Sequence, residues 1–80
     1  MILGIEKTLI NKKFHEIENS FNTLKYAKSG DITTQFIINY HPMGKYWEVS
    51  FPLACTFNYK TKFTDYNKMT NYSLQRISEM

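Results

Sequence analysis

Between Ile32 and Leu53 the chain alternates apolar and polar residues on both sides of a Pro–Gly turn, and this leaves few ways to fold. Ile32, Thr34, Phe36, Ile38 and Tyr40 share one face of an extended segment, with Thr33, Gln35, Ile37 and Asn39 opposite. Trp47, Val49, Phe51 and Leu53 repeat the pattern against Tyr46, Glu48, Ser50 and Pro52. Successive side chains of a strand point to opposite faces, so the pattern predicts two strands of a sheet with one buried face. A one-residue slip would turn one apolar set toward water, so register is constrained. A four-residue loop, 41–44, sets Tyr40 opposite Lys45, Ile38 opposite Trp47 and Phe36 opposite Val49, with both apolar sets on one side. Pro42 and Gly44 then occupy the second and fourth positions of a type I turn.

The odd-numbered alternation continues through Cys55, Phe57, Tyr59 and Phe63, with Thr56, Asn58, Lys60 and Lys62 opposite. Pro52 has no N–H to donate and marks either a bend into a third strand or an irregularity in one long strand over 45–63.

Upstream, Ile10, Phe14, Ile17, Phe21 and Leu24 recur at alternating spacings of four and three, one stripe of an amphipathic helix. Lys25 and Lys28 suit the last turn of such a helix and Gly30 its end, so a helix is expected over 11–28. Residues 2–9 either extend it or form a short strand. From Asp65 onward, Tyr66, Met69, Ser73, Ile77 and Met80 follow helical spacing, with Thr64 or Asp65 as cap.

These elements predict one α+β domain over 1–80. It has a three- or four-stranded antiparallel sheet, an N-terminal amphipathic helix packed on one face, and a short C-terminal helix. A chain of 80 residues buries only about 60–65% of its unfolded surface, enough for one core layer and no deep cleft. That disfavours an enzyme.

No stretch approaches the ~18 apolar residues of a membrane span, and no basic leader with an apolar run opens the chain. The one cysteine, Cys55, has no partner for an internal disulfide. Together these features predict a cytoplasmic protein and no membrane partner. The formal charge is +3, with Arg76 the sole arginine. Arginine is the residue of bidentate base and phosphate recognition, so sequence-specific DNA reading is disfavoured. Phe, Tyr, Met, Ile, Asn and Lys, whose codons are AT-rich, make up 40 of the 80 residues. That bias points to an AT-rich genome, such as a low-GC bacterium, its phage or a plasmid.

Motifs with chemistry are lacking. His15, His41 and Cys55 show no metal-ligand spacing, so neither metal nor cofactor is expected. Cys55 falls on the inward parity between Leu53 and Phe57, the place of a packed thiol. Glu16 and Glu18, two apart on a helix, would diverge, while Lys12 and Glu16 would form a surface ion pair. No phosphate-binding or nucleophile-elbow motif is present.

Two surfaces remain as candidates. The first is the outward sheet face and hairpin, with Ile37, His41, Met43, Tyr46 and Glu48, where Tyr and Met are of the type enriched at protein interfaces. The second is the lysine–aromatic segment 58–68. Tyr59 and Phe63 have core parity, which leaves Lys60, Lys62, Tyr66 and Lys68, with Arg76 following, for phosphates and unpaired bases. The bland reading of those lysines is an edge strand protected against aggregation.

The expectation is a non-enzymatic binding protein whose partner is another protein. An accessory protein of a phage or mobile element, inhibiting a host macromolecule such as a defence complex from the host cytoplasm, fits size and composition. The alternative is a small RNA- or DNA-binding module, acting on nucleic acid or a ribonucleoprotein. A homo-oligomer through an unpaired sheet edge is a third class.

Overall fold

The computed structural model describes residues 1–51 and 60–79. Its elements are α1 (Glu6–Asn11), β1 (Phe14–Asn19), β2 (Thr23–Lys28), β3 (Asp31–His41), β4 (Tyr46–Ser50), β5 (Lys60–Phe63) and α2 (Tyr66–Ser78). The strands form one antiparallel sheet in sequence order, β1-β2-β3-β4-β5. The fold is therefore α+β, an N-terminal helix and a C-terminal helix with a meander between them.

The alternation of β3 and β4 is realised as expected. Ile38 faces Val49, Tyr40 faces Trp47, and His41 closes the pairing against Tyr46. The loop has four residues, but it is 42–45 rather than 41–44, so the expected Tyr40–Lys45, Ile38–Trp47 and Phe36–Val49 pairs are replaced by partners two residues further on, which keeps parity and hence the faces. The closing pair explains the slide: the His41 and Tyr46 rings stack with centroids 4.6 Å apart. Lys45 supplies the left-handed residue of the loop, with φ of 55°.

The region expected to be a helix over 11–28 is instead the hairpin of β1 and β2. Of the five stripe residues only Phe14 and Leu24 are buried, while Ile10, Ile17 and Phe21 are exposed. A competing period of two, Leu24 then Tyr26, pairs β2 with β3 through Leu24–Ile38 and Tyr26–Phe36. All four of these side chains are buried. A helix would have left the free edge of β3 unpaired and Tyr26 outside the stripe. The turn at 20–22 closes with Ser20 N–H donating to Thr23 O at 2.9 Å. The anticipated Lys12–Glu16 pair does not form, and Lys12 Nζ donates to Ser78 O.

The helix that does form near the N-terminus is the six-residue α1, which overturns the strand alternative for 2–9. Lys13, with φ of 68°, turns the chain from α1 into β1. Ile32 is a further correction: expected inward, it is 68% exposed. A register shift between Ala27 and Lys28 separates the start of β3 from the regular ladder. There Asp31 Oδ1 accepts from Thr33 N–H and Oγ1, and its Oδ2 accepts from Thr34 Oγ1.

β5 is a separate strand antiparallel to β4, with Trp47 opposite Phe63 and Glu48 opposite Lys62, so a single strand over 45–63 is excluded. Pro52, Leu53, Cys55, Phe57 and Tyr59 lie outside the described residues. The tail helix is present as expected: Asp65 caps α2, its side chain accepting from Lys68 N–H at 3.0 Å. Met69, Ser73 and Ile77 are its buried stripe.

One core lies between the inward sheet face and the two helices. It joins Leu3, Ile5 and Leu9 to Phe14, Leu24, Tyr26, Phe36, Ile38, Val49, Met69 and Ile77. α2 packs on β4 and β5, and α1 on β1 and α2.

Candidate functional site

Strand parity sorts the remaining side chains. With Leu24, Tyr26, Phe36, Ile38 and Val49 facing the helices, the opposite face carries Lys25 from β2 and Ile37, Asn39 and His41 from β3. It also carries Tyr46, Glu48 and Ser50 from β4, and Lys60 and Lys62 from β5. Among the described residues, neither helix lies on that face. Four of the five residues expected to bind a protein, Ile37, His41, Tyr46 and Glu48, are thus brought together there. The fifth, Met43, sits in the hairpin turn beside them and is fully exposed.

The geometry at the hairpin end of this face is tight. Tyr46 stacks on His41 with rings 15° from parallel, and Lys62 Nζ lies 5.2 Å from the Tyr46 ring centroid. His41 Nε2 contacts Glu48 Oε1, and the Glu48 side chain keeps only 14% of its exposure against 40% for His41. Across the ladder Asn39, Glu48 and Lys62 stand in one row. Asn39 Oδ1 also accepts from Thr23 Oγ1 at 2.9 Å. Tyr46 is therefore held between His41 and Lys62.

The second set does not converge. Lys60 and Lys62 project from β5 onto the open face, whereas Tyr66 belongs to the helix side. The Tyr66 hydroxyl donates to Leu3 O at 3.1 Å, and its ring meets the edge of Trp47 at 5.7 Å. Lys68 is exposed in the first turn of α2. Arg76 is ten residues beyond Tyr66, about 15 Å along the axis, where it pairs with Glu79 and lies 5.5 Å from the Phe51 ring. Five residues spread over two faces and both ends of a helix offer no single track for a phosphate backbone.

Among the described residues neither histidine joins a metal cluster. His15 is in β1, and its Nδ1 pairs with Ser29 Oγ at 3.2 Å. Among the described residues no three His, Cys, Asp or Glu side chains are grouped to hold an ion.

A cavity of about 610 Å³ lies at the other end of the sheet, between the β2–β3 turn and the end of α2. It is lined by Lys28, Ser29, Gly30, Asp31, Thr34, Phe51, Arg76 and Glu79, so that two cations and two carboxylates share it. Asp31 is engaged internally, and the hydroxyls of Thr33 and then Thr34, with the Thr33 N–H, hold its carboxyl below the ordinary carboxylate value.

The second hairpin tip lies inside the segment expected to be a helix. Phe21 falls in the turn between β1 and β2, and the stretch Asn19-Ser20-Phe21-Asn22 carried the signal, since Ser and Asn favour turns.

The fold and this face define a small α+β meander whose second sheet face, among the described residues, is covered by neither helix, although Ala27 and Ser50 on it are buried. Comparison with protein-family models, curated proteins and solved structures finds no match for the chain.

Proposed function

We propose that this chain is a small non-enzymatic binding protein that engages another protein through the open sheet face and the β3–β4 hairpin. The observation that carries the reading is the convergence of Ile37, His41, Tyr46 and Glu48 on one face, with Met43 exposed at its rim. Tyr46 is already ordered by His41 and Lys62, so less side-chain entropy is lost when a partner covers it. Aromatic residues and Met are the groups that anchor protein interfaces.

The AT-rich composition supports an accessory protein of a phage or mobile element, acting by occluding the surface of a host protein such as a component of a defence complex. Both sheet edges speak against assembly through strand addition. β1 is interrupted by a bulge between Glu16 and Glu18, and β5 is four residues long and bears two lysines.

The test is affinity capture from lysate of the native host, with and without nuclease. A protein that stays bound after nuclease and moderate salt, and is lost with Tyr46→Ala, supports the reading. Recovery of nucleic acid alone, abolished by Lys60→Glu with Lys62→Glu, overturns it in favour of the basic segment, because phosphate-driven binding is the salt-sensitive kind.

A further inference from the structure

In an antiparallel meander alternate turns emerge at the same end, so the β1–β2 turn and the β3–β4 turn lie together. Tyr40 N–H donates to Asn22 O at 2.8 Å, which seats the first turn against β3 just before the second begins. The N-terminal segment is bound to the same end, where the Met1 nitrogen donates to Asn19 Oδ1 at 2.7 Å and to Ser20 O at 2.8 Å. This end gathers the three most exposed large apolar side chains among the described residues: Met43 at 100%, Ile2 at 89% and Phe21 at 84%.

Single exposed apolar residues are ordinary, but three on the tips of one end call for a physical reason. Phe21 and Met43 are not needed by the turns that carry them, for which polar residues suffice. The three side chains stand on different segments, the β1–β2 turn, the β3–β4 turn and the chain before α1. Exposed lysines surround them: Lys45 in the turn, Lys7 near the start of α1, Lys62 near the end of β5 and Lys68 near the start of α2. Of the carboxylates at this end, Glu6 is drawn in to the Leu3 N–H and Glu48 to His41, leaving Glu18, Asp65 and the Asn19-bound Glu16 exposed. Four exposed lysines against these three carboxylates leave a small positive excess.

We infer that this end docks on an anionic lipid surface, with Phe21, Met43 and Ile2 entering the interface while the surrounding lysines meet the headgroups. A bilayer accepts separate apolar knobs without a matching shape, and anionic headgroups complement the lysines. β3 outruns β2 by about two residues, roughly 7 Å at strand spacing, a step that a tilted approach takes up. The contact is peripheral, since among the described residues no helix is long and apolar enough to cross a membrane. In this orientation Ile37, Glu48 and the rest of the sheet face stand away from the lipid, and the two proposed contacts overlap only at the hairpin, through Met43 and the lysines beside it.

The experiment is co-sedimentation of the full chain with vesicles of phosphatidylcholine alone and with phosphatidylserine added. Binding is expected to the anionic vesicles and to weaken with salt. Phe21→Ser with Met43→Ser should reduce partitioning about 10-fold or more, since each removes an inserted apolar group. Lys45→Glu with Lys68→Glu should lower binding to the anionic vesicles only. Both tip residues are solvated, so the variants should retain the wild-type circular dichroism and melting temperature, and Tyr46→Ala should leave vesicle binding unchanged. No sedimentation with either vesicle overturns the inference. So does anionic binding that persists unchanged in the Phe21/Met43 variant, or loss of a captured protein by that variant without any vesicle binding.

Discussion

The His41 and Tyr46 rings close the β3–β4 hairpin as a stacked pair, 4.6 Å between centroids and 15° from parallel. Gly44, two residues before Tyr46, makes this arrangement possible. A Cβ at Gly44 would stand 2.5 Å from Tyr46 Cε1 and 2.7 Å from its Cδ1. Gly44→Ala should displace the ring from His41 and cost about 1–3 kcal/mol, the usual range for an overpacked contact. Denaturant unfolding measures the cost, and the ring-proton shifts of His41 and Tyr46 report the lost stack. Unchanged shifts would refute the role assigned to Gly44.

Two residues of the same helical stripe should behave oppositely. Leu24 is fully buried against Ile38, whereas Ile17 is half out in water on β1. Leu24→Ala should cost about 2–5 kcal/mol, and Ile17→Ala within about 0.5 kcal/mol. Equal, large losses from urea unfolding would revive a helix over 11–28.

Asp65 is the N-cap of α2, and its carboxylate accepts the Lys68 N–H. Asp65→Ala should destabilise the domain by about 1 kcal/mol, seen as a melting point lower by about 4–8 °C. Asp65→Ser should restore most of it, because a hydroxyl oxygen can accept the same bond.

Tyr26 titrates above its ordinary value of 10.0, first because burial disfavours the phenolate and then because Glu16 and Glu6 add negative potential. A raised phenol keeps its proton in the fold after the unfolded chain has lost it. This contribution is complete below pH 10.0 and is lost as pH rises through the folded value. Stability should fall above pH 10.0, and Tyr26→Phe should flatten that alkaline limb. A limb that is unchanged in Tyr26→Phe would assign it to other groups.

Asp31 gives the opposite limb. Its carboxyl is held below 3.8 by the hydroxyls of Thr33 and then Thr34. The stabilisation it brings is present above 3.8 and disappears as pH falls through the lower folded value. Asp31→Asn should shrink the loss of stability seen on acidification below 3.8, as read from melting temperatures across that range.

The candidate face was legible because strand parity is a local property. Once β3 and β4 were recognised as strands, Ile37, Tyr46 and Glu48 had to share a side, whichever of the odd-sum registers the loop selected. The split of the basic set was not legible. Lys60, Lys62, Tyr66 and Lys68 are near one another in sequence, yet the chain turns from β5 into α2 at Thr64 and Asp65, and the helix carries Tyr66 to Leu3 and Trp47 on the covered side.

By itself, then, the sequence determined the central hairpin and the C-terminal helix. The first rests on a period of two that only a strand can express, the second on an Asp65 cap followed by a buried stripe at helical spacing. Residues 14–28 were decided by tertiary structure. Phe14 and Leu24 satisfy a helix and a hairpin equally, and the rest of the segment fits either pattern in part. A helix closes its backbone hydrogen bonds within itself, while a strand needs a neighbour to take them. The exposed edge of β3 is that neighbour, and pairing with it brings Tyr26 into the core beside Phe36. The same choice left Phe21 at a turn in water, beside the tip that carries Met43.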